Sequence, residues 1–147
     1  LGANVGDYST WRDCCGFGFR HILVSRDFSR SFATKRKIER MKEEVNPDVV
    51  LTHDTGCVTT LDKSQFAAQA HKSNVGIPVM SDAQFAALAM GAHPYIVCQL
   101  HWHGVDNKPL LEKMGIDHEK AWAEFEAQAD RIKSGEIDYI SWKEADA

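Results

Sequence analysis

Two short β-branched runs, each followed at once by a helix-forming segment, constrain the fold of this chain more than any other feature. The first, residues 48–52 (DVVLT), comes directly after Asn46-Pro47 and reads as a buried strand. A helix is predicted beyond it over residues 61–72, with Phe66 and Ala70 packing inward. The second run, residues 76–80 (GIPVM), precedes DAQFAALAMG, for which Ser81 supplies an N-cap and Gly91 a stop. Two strand-loop-helix units in series predict a parallel sheet, since parallel neighbours need a crossover connection.

The flanking segments are helical in pattern. Residues 29–45 (SRSFATKRKIERMKEEV) place Ile38, Met41 and Val45 at helical spacing, with Ser29 or Ser31 as cap and Asn46-Pro47 as terminator. The Lys, Arg and Glu face of this helix reads as solvated; docking of a partner by residues 35–42 is the other reading. Residues 95–100 (YIVCQL) read as extended. Residues 118–133 read as an amphipathic helix, with Trp122, Phe125, Ala129 and Ile132 on one face. The expected class is α/β: a Rossmann-like three-layer arrangement with a small parallel sheet, plus this C-terminal amphipathic helix.

With 147 residues and 44% hydrophobic content, the chain can bury a core as one domain without disulfide staples. A net charge of -4 offers no basic excess for a phosphate backbone, so nucleic acid is not an expected partner. No apolar stretch approaches the roughly 20 residues of a spanning helix, and the N-terminus lacks a signal pattern. A cytoplasmic protein is expected. The first residue is Leu rather than Met, which fits a fragment, a processed chain or an excised domain.

The four cysteines fit reduced metal or redox thiols better than a secreted disulfide framework. Cys14 and Cys15 are adjacent, a poor arrangement for a mutual disulfide but a suitable one for an iron-sulfur cluster or shared metal. Gly16 and Gly18 allow close backbone approach to the thiolates. The alternative is that both cysteines pack as small hydrophobes. Cys57 sits at a strand exit and helix start, where the dipole favours a thiolate. Asp54, three residues before it, can ligate a metal or cap the helix. Cys98, His101 and His103 (CQLHWH) form a second constellation, able to bind a metal, relay a proton or sit in an ordinary loop. Cys98 is also a candidate resolving or substrate-linked thiol, and His53 a further candidate for the proton role. His21, His71, His93 and His118 lack motif context.

The segments CCGFGFR, THDTGCVTTLD and IPVMSDAQFAALAMG, in this order, resemble the cysteine-rich repeat of heterodisulfide reductase B subunits. The resemblance spans approximately residues 13–116. It implies a CCG-type domain over residues 1–116, followed by a helical extension at 117–147. It also implies a noncubane [4Fe-4S] cofactor at which disulfides are cleaved or formed, with Cys14, Cys15 and Cys57 as ligands. Asp54 falls where the family has a further cysteine, and the family's lone upstream cysteine has no counterpart before Cys14. Metal ligation by Cys14, Cys15, Cys57 and Asp54 is therefore expected, with zinc as the alternative metal. Electrons would pass through partner subunits carrying flavin and further iron-sulfur clusters, without which the chain would be inactive, with Cys98, His101, His103 and His53 as catalytic candidates on a thiol or disulfide substrate. The Asp54 departure and the histidine cluster point to the heterodisulfide-reductase-like complexes of bacterial sulfur oxidation. Two other functions fit the same features: a zinc-holding structural or interaction domain, and an electron-transfer component of a lactate- or glycolate-oxidising complex.

Overall fold

A computed structural model of the chain describes residues 3–18, 23–68 and 76–136. Its helices are α1 (Arg26–Ala33), α2 (Glu39–Glu44), α3 (Thr55–Ala68), α4 (Asp82–Ala89), α5 (Lys108–Lys113) and α6 (His118–Lys133). A π turn, Thr34–Ile38, joins α1 to α2 without a break, and a short 3-10 turn covers Leu100–Trp102. Two strands, β1 (Val50–Thr52) and β2 (Val79–Ser81), pair in parallel, with Val50 opposite Val79 and Thr52 opposite Ser81. The α/β class and the parallel pairing follow the sequence pattern.

Strand β2 organises the core. Successive side chains of a strand point to opposite faces, and Val79 and Met80, both fully buried, join different apolar clusters. Val79 packs with Cys15, Ala33, Ile38, Met41, Leu61 and Ile77. Met80 packs with Leu88, Tyr95, Cys98, Leu100, Leu110, Leu111 and Ala121. Helix α6 thus shares the second cluster, through Ala121 and the partly buried Phe125.

Local chemistry sets the element ends. Ser81 and Gln84 form a reciprocal capping box at the head of α4. At its other end Gly91, with φ +88°, lets the amides of Gly91 and Ala92 bond back to Leu88 and Ala87. Helix α3 starts at Thr55, six residues before the predicted start, because the Asp54 carboxylate accepts the Cys57 amide at 2.9 Å and so caps a Thr-rich first turn. The predicted end of that helix, and the side chains of Phe66 and Ala70, lie outside the described residues, as do His21 and His71.

Other expectations are corrected. The first helix starts at Arg26, so Ser29 is inside it rather than capping it; Ser29 is buried and donates its hydroxyl to the Gly16 carbonyl. Residues 95–100 are not extended. The His93 imidazole accepts the amides of Tyr95 and Ile96 at 3.2 and 3.1 Å, which turns the chain, and Gln99 adopts φ +53°. The basic face of the first helix is not wholly solvated, since Lys37 is buried. On α6, Trp122 and Ile132 stay 40% and 36% exposed, so the intended inward face is only partly covered. Among the described residues no helix is long and apolar enough to cross a membrane.

Candidate functional site: a thiol pair between the N-terminal loop and the third helix

Cys15 and Cys57 meet across 42 residues of sequence, their Sγ atoms 2.7 Å apart. That separation is well beyond the roughly 2.05 Å of a disulfide. Cys15 is buried, Cys57 half-buried and Cys14 exposed. Burial, the Cys15 sulfur and then the Asp54 carboxylate push the Cys57 thiol up to about 12.

The backbone around the pair is shaped by two glycines. Gly16 has φ +88°, and a Cβ there would lie 2.8 Å from the Ser29 carbonyl oxygen and 3.3 Å from the Ala33 amide, so only glycine lets the cysteine loop lie on α1. The Gly16 amide points at the Cys14 sulfur, 3.3 Å away. At Gly56 a Cβ would strike the Phe17 ring at 2.5 Å. Phe17, in the same turn as Cys15, therefore seats on the residue preceding Cys57 and brings the two cysteine segments together.

Lys37 completes the setting. It is 4% exposed, and its ammonium donates to the carbonyls of Thr10 and Trp11 at 2.7 and 2.8 Å while lying 5.3 Å from the centre of the Tyr8 ring. Burial lowers its pKa, opposed by the charges of Asp13 and of Cys15, Cys14 and Cys57. Arg36, its neighbour on the π turn, pairs with Asp13. The π turn thereby ties the loop before Cys14 to the helix. Among the described residues, no three His, Cys, Asp or Glu side chains converge on one metal-sized point.

Comparison with known proteins places this geometry in a family. Residues 1–62, which contain Cys14, Cys15, Lys37 and Cys57, match the family model of the cysteine-rich domain CCG. Over 96 residues the chain is 38% identical to a protein of Archaeoglobus profundus that is like the B subunit of heterodisulfide reductase, covering 64% of this chain and 31% of that protein. Over 103 residues it is 30% identical to the B subunit of the ferredoxin:CoB-CoM heterodisulfide reductase of Methanosarcina acetivorans, covering 69% and 32%. The chain carries a CCG domain homologous to heterodisulfide reductase B subunits. It spans about a third of the length of these curated relatives. No solved structure matches it.

Of the other candidate residues, His53, Cys98 and His103 gather around α4, and His101 lines one cavity with His103. His53, almost fully exposed at the end of β1, pairs with Asp82 at the head of α4, Nδ1 to Oδ2 2.7 Å. The Asp82 carboxylate raises the imidazole pKa, and the imidazole in turn holds Asp82 low. The pair's contribution is thus full between the two: it fades as pH rises through the raised His53 pKa, and as pH falls through the depressed Asp82 pKa. By imidazole NMR, His53 is expected to titrate above the ordinary 6.5 and to return to it in Asp82→Asn. Identical titration in both proteins would contradict the pairing.

Cys98 is buried beneath α4, its thiol facing the Gln84 carbonyl at 3.7 Å, and burial raises its pKa. Gln84 also organises His103. Its oxygen accepts the Ser81 amide, and its NH2 faces the Cys98 carbonyl at 2.7 Å and His103 Nε2 at 3.1 Å. His103 Nε2 must then accept, which leaves the proton on Nδ1 beside the Val79 backbone, near it but without a well-formed hydrogen bond. Burial lowers the His103 pKa, opposed by Asp62 and the Val79 backbone. His101 is turned away to stack on Phe125, 4.6 Å between ring centres.

Alkylation separates these thiols. At about pH 8, iodoacetamide is expected to label exposed Cys14 first, and Cys57 and Cys98 far more slowly, because a raised pKa keeps each of the latter as the unreactive thiol. Peptide mass spectrometry reads the order, and equal rates would contradict it.

Sequence reasoning missed Lys37, Asp62 and Gln65. Asp62, on the helix that begins beside Cys57, is 2% exposed and accepts the amides of Gly104 and Val105 at 2.6 and 3.0 Å. Gln65 pairs with both backbone groups of Ile77 at 2.8 Å, in the manner of an added strand.

Proposed function

We propose that this CCG domain is an iron-sulfur redox segment of a heterodisulfide-reductase-type complex, acting on a disulfide or dithiol. The observation that carries the reading is the convergence of Cys15 and Cys57 inside the region that matches the family. The donors fit an iron-sulfur group in kind: two converging thiols, a third on the adjacent residue, and a backbone amide aimed at sulfur. Cys14, Cys15 and Cys57 would be the ligands from this chain, and further ligands would come from elsewhere in the complex. Asp54 is assigned to capping, since its carboxylate already holds the Cys57 amide.

A bound cluster of the noncubane [4Fe-4S] type would supply single electrons at sulfur. Cleavage of a disulfide consumes two electrons and two protons, the electrons arriving from partner subunits that carry flavin and iron-sulfur groups. The chain's own part is to hold the thiolates, to order the cysteine loop through Gly16, Phe17 and Lys37, and to deliver protons. His53 is the proton donor we favour, because it is exposed at the strand exit, directly before the Asp54–Cys57 turn, and is kept basic by Asp82. Cys98, His101 and His103 are assigned to the packing of the second cluster. The two apolar clusters on opposite faces of β2 support a Rossmann-like three-layer arrangement, with residues 1–116 as the CCG unit and the extension from 117 packed on it.

The test is disulfide cleavage by anaerobically reconstituted protein assembled with its partner subunits, with a reduced viologen dye as electron source. Turnover by iron-loaded protein, with none by zinc-loaded protein, is the expected result. Equal inactivity of both, with iron and sulfide bound, would argue against disulfide chemistry on this chain.

A further inference from the structure

On the face of β2 away from the thiol pair, residues 95–108 and the start of α6 border a cavity of about 570 Å³. That volume lies in the range of small-molecule sites and is far more than one water fills. Leu100 and Val105 give it a buried apolar floor. Two polar side chains of its wall are more than nine-tenths buried and lack partners. Tyr95 is 6% exposed, and its hydroxyl makes no hydrogen bond among the described residues. Burial, and then the charge of Asp106 in the same wall, push its pKa up, which keeps the hydroxyl a neutral donor. Asn107, also 6% exposed, donates through Nδ2 to the Val105 carbonyl at 3.0 Å, while its Oδ1 has no partner. A buried acceptor without a donor is costly, so its presence in a cavity wall points to a donor supplied from outside.

We propose that this cavity binds an uncharged planar nitrogen heterocycle, with the N–H-beside-acceptor edge of a nucleoside base, stacked on Trp122 and bonded to Asn107 Oδ1 and the Tyr95 hydroxyl. Trp122 supplies the stacking surface: its indole meets the Tyr95 ring edge to face, 5.1 Å between centres, and is exposed where it lines the cavity. The charges of the wall set the ligand's own charge. Lys108 stands against Asp106 and Glu119, so a phosphate finds one cation opposed by two carboxylates. The site is separate from the thiol pair, and the proposal stands independently of the function assigned to that pair.

The test titrates the full chain with adenosine, uridine and their 5′-monophosphates, followed by calorimetry. Saturable one-to-one binding of at least one nucleoside, with Kd below about 1 mM and its monophosphate no tighter, is the expected result. Tyr95→Phe is expected to weaken that binding about tenfold. Because the hydroxyl has no partner within the described residues, this variant is expected to keep the fold, which circular dichroism checks. Trp122→Ala, at an exposed position, is expected to weaken binding about tenfold through lost stacking, and it carries the test if Tyr95→Phe does not fold. No saturable binding of either nucleoside by the parent, tighter binding of the monophosphate, or unchanged affinity in either folded variant would overturn the proposal.

Discussion

Cys15→Ser is expected to abolish iron-sulfur uptake, whereas Cys98→Ser leaves it intact. Cys15 is buried and lies 2.7 Å from the Cys57 sulfur, so a serine there removes a soft thiolate donor from the place where these two distant segments meet. Cys98 belongs to the other apolar cluster, on the opposite face of β2. Visible absorption after anaerobic reconstitution distinguishes the two variants. His101→Ala is likewise expected to spare the spectrum, since its ring stacks on Phe125. Loss of the spectrum in Cys98→Ser or His101→Ala would show that the two halves share one centre.

Asp62→Ala is expected to cost about 3 kcal/mol of stability, from two charge-assisted hydrogen bonds lost and the buried Val105 amide left without a partner. Asp62 connects the helix bearing Cys57 to the segment after Trp102, and Lys63 reinforces the junction by donating to the Trp102 carbonyl at 3.2 Å. Asp62→Asn keeps one acceptor and is expected to lose less. Urea unfolding measures both; a loss below about 1 kcal/mol in Asp62→Ala would mean that water replaces the carboxylate at this junction.

What was legible in the sequence was local. The strand-helix order, the Ser81 cap, the Gly91 stop and the span of α6 all follow from residues within one or two turns of each other. The pairing of Cys15 with Cys57 was legible because both carry distinctive chemistry and a motif, even though their meeting spans 42 residues. Lys37, Asp62 and Gln65 were not, because each is a polar residue in a helical pattern whose partners lie 12 to 43 residues away. Residues 95–100 misled for a related reason: apolar and β-branched composition reads as strand, while the imidazole of His93 imposes a turn. The start of α3 was missed because TGCVTT is a weak helix former, and the Asp54 cap outweighs that weakness.

The central claim is that Cys15 and Cys57 hold one iron-sulfur group. The most direct measurement is iron and acid-labile sulfide in anaerobically purified and reconstituted protein, taken with its paramagnetic resonance spectrum. The expected result is iron with matching sulfide and a cluster signal that disappears in both Cys15→Ser and Cys57→Ser. Zinc without sulfide, or a signal that survives both substitutions, would contradict it.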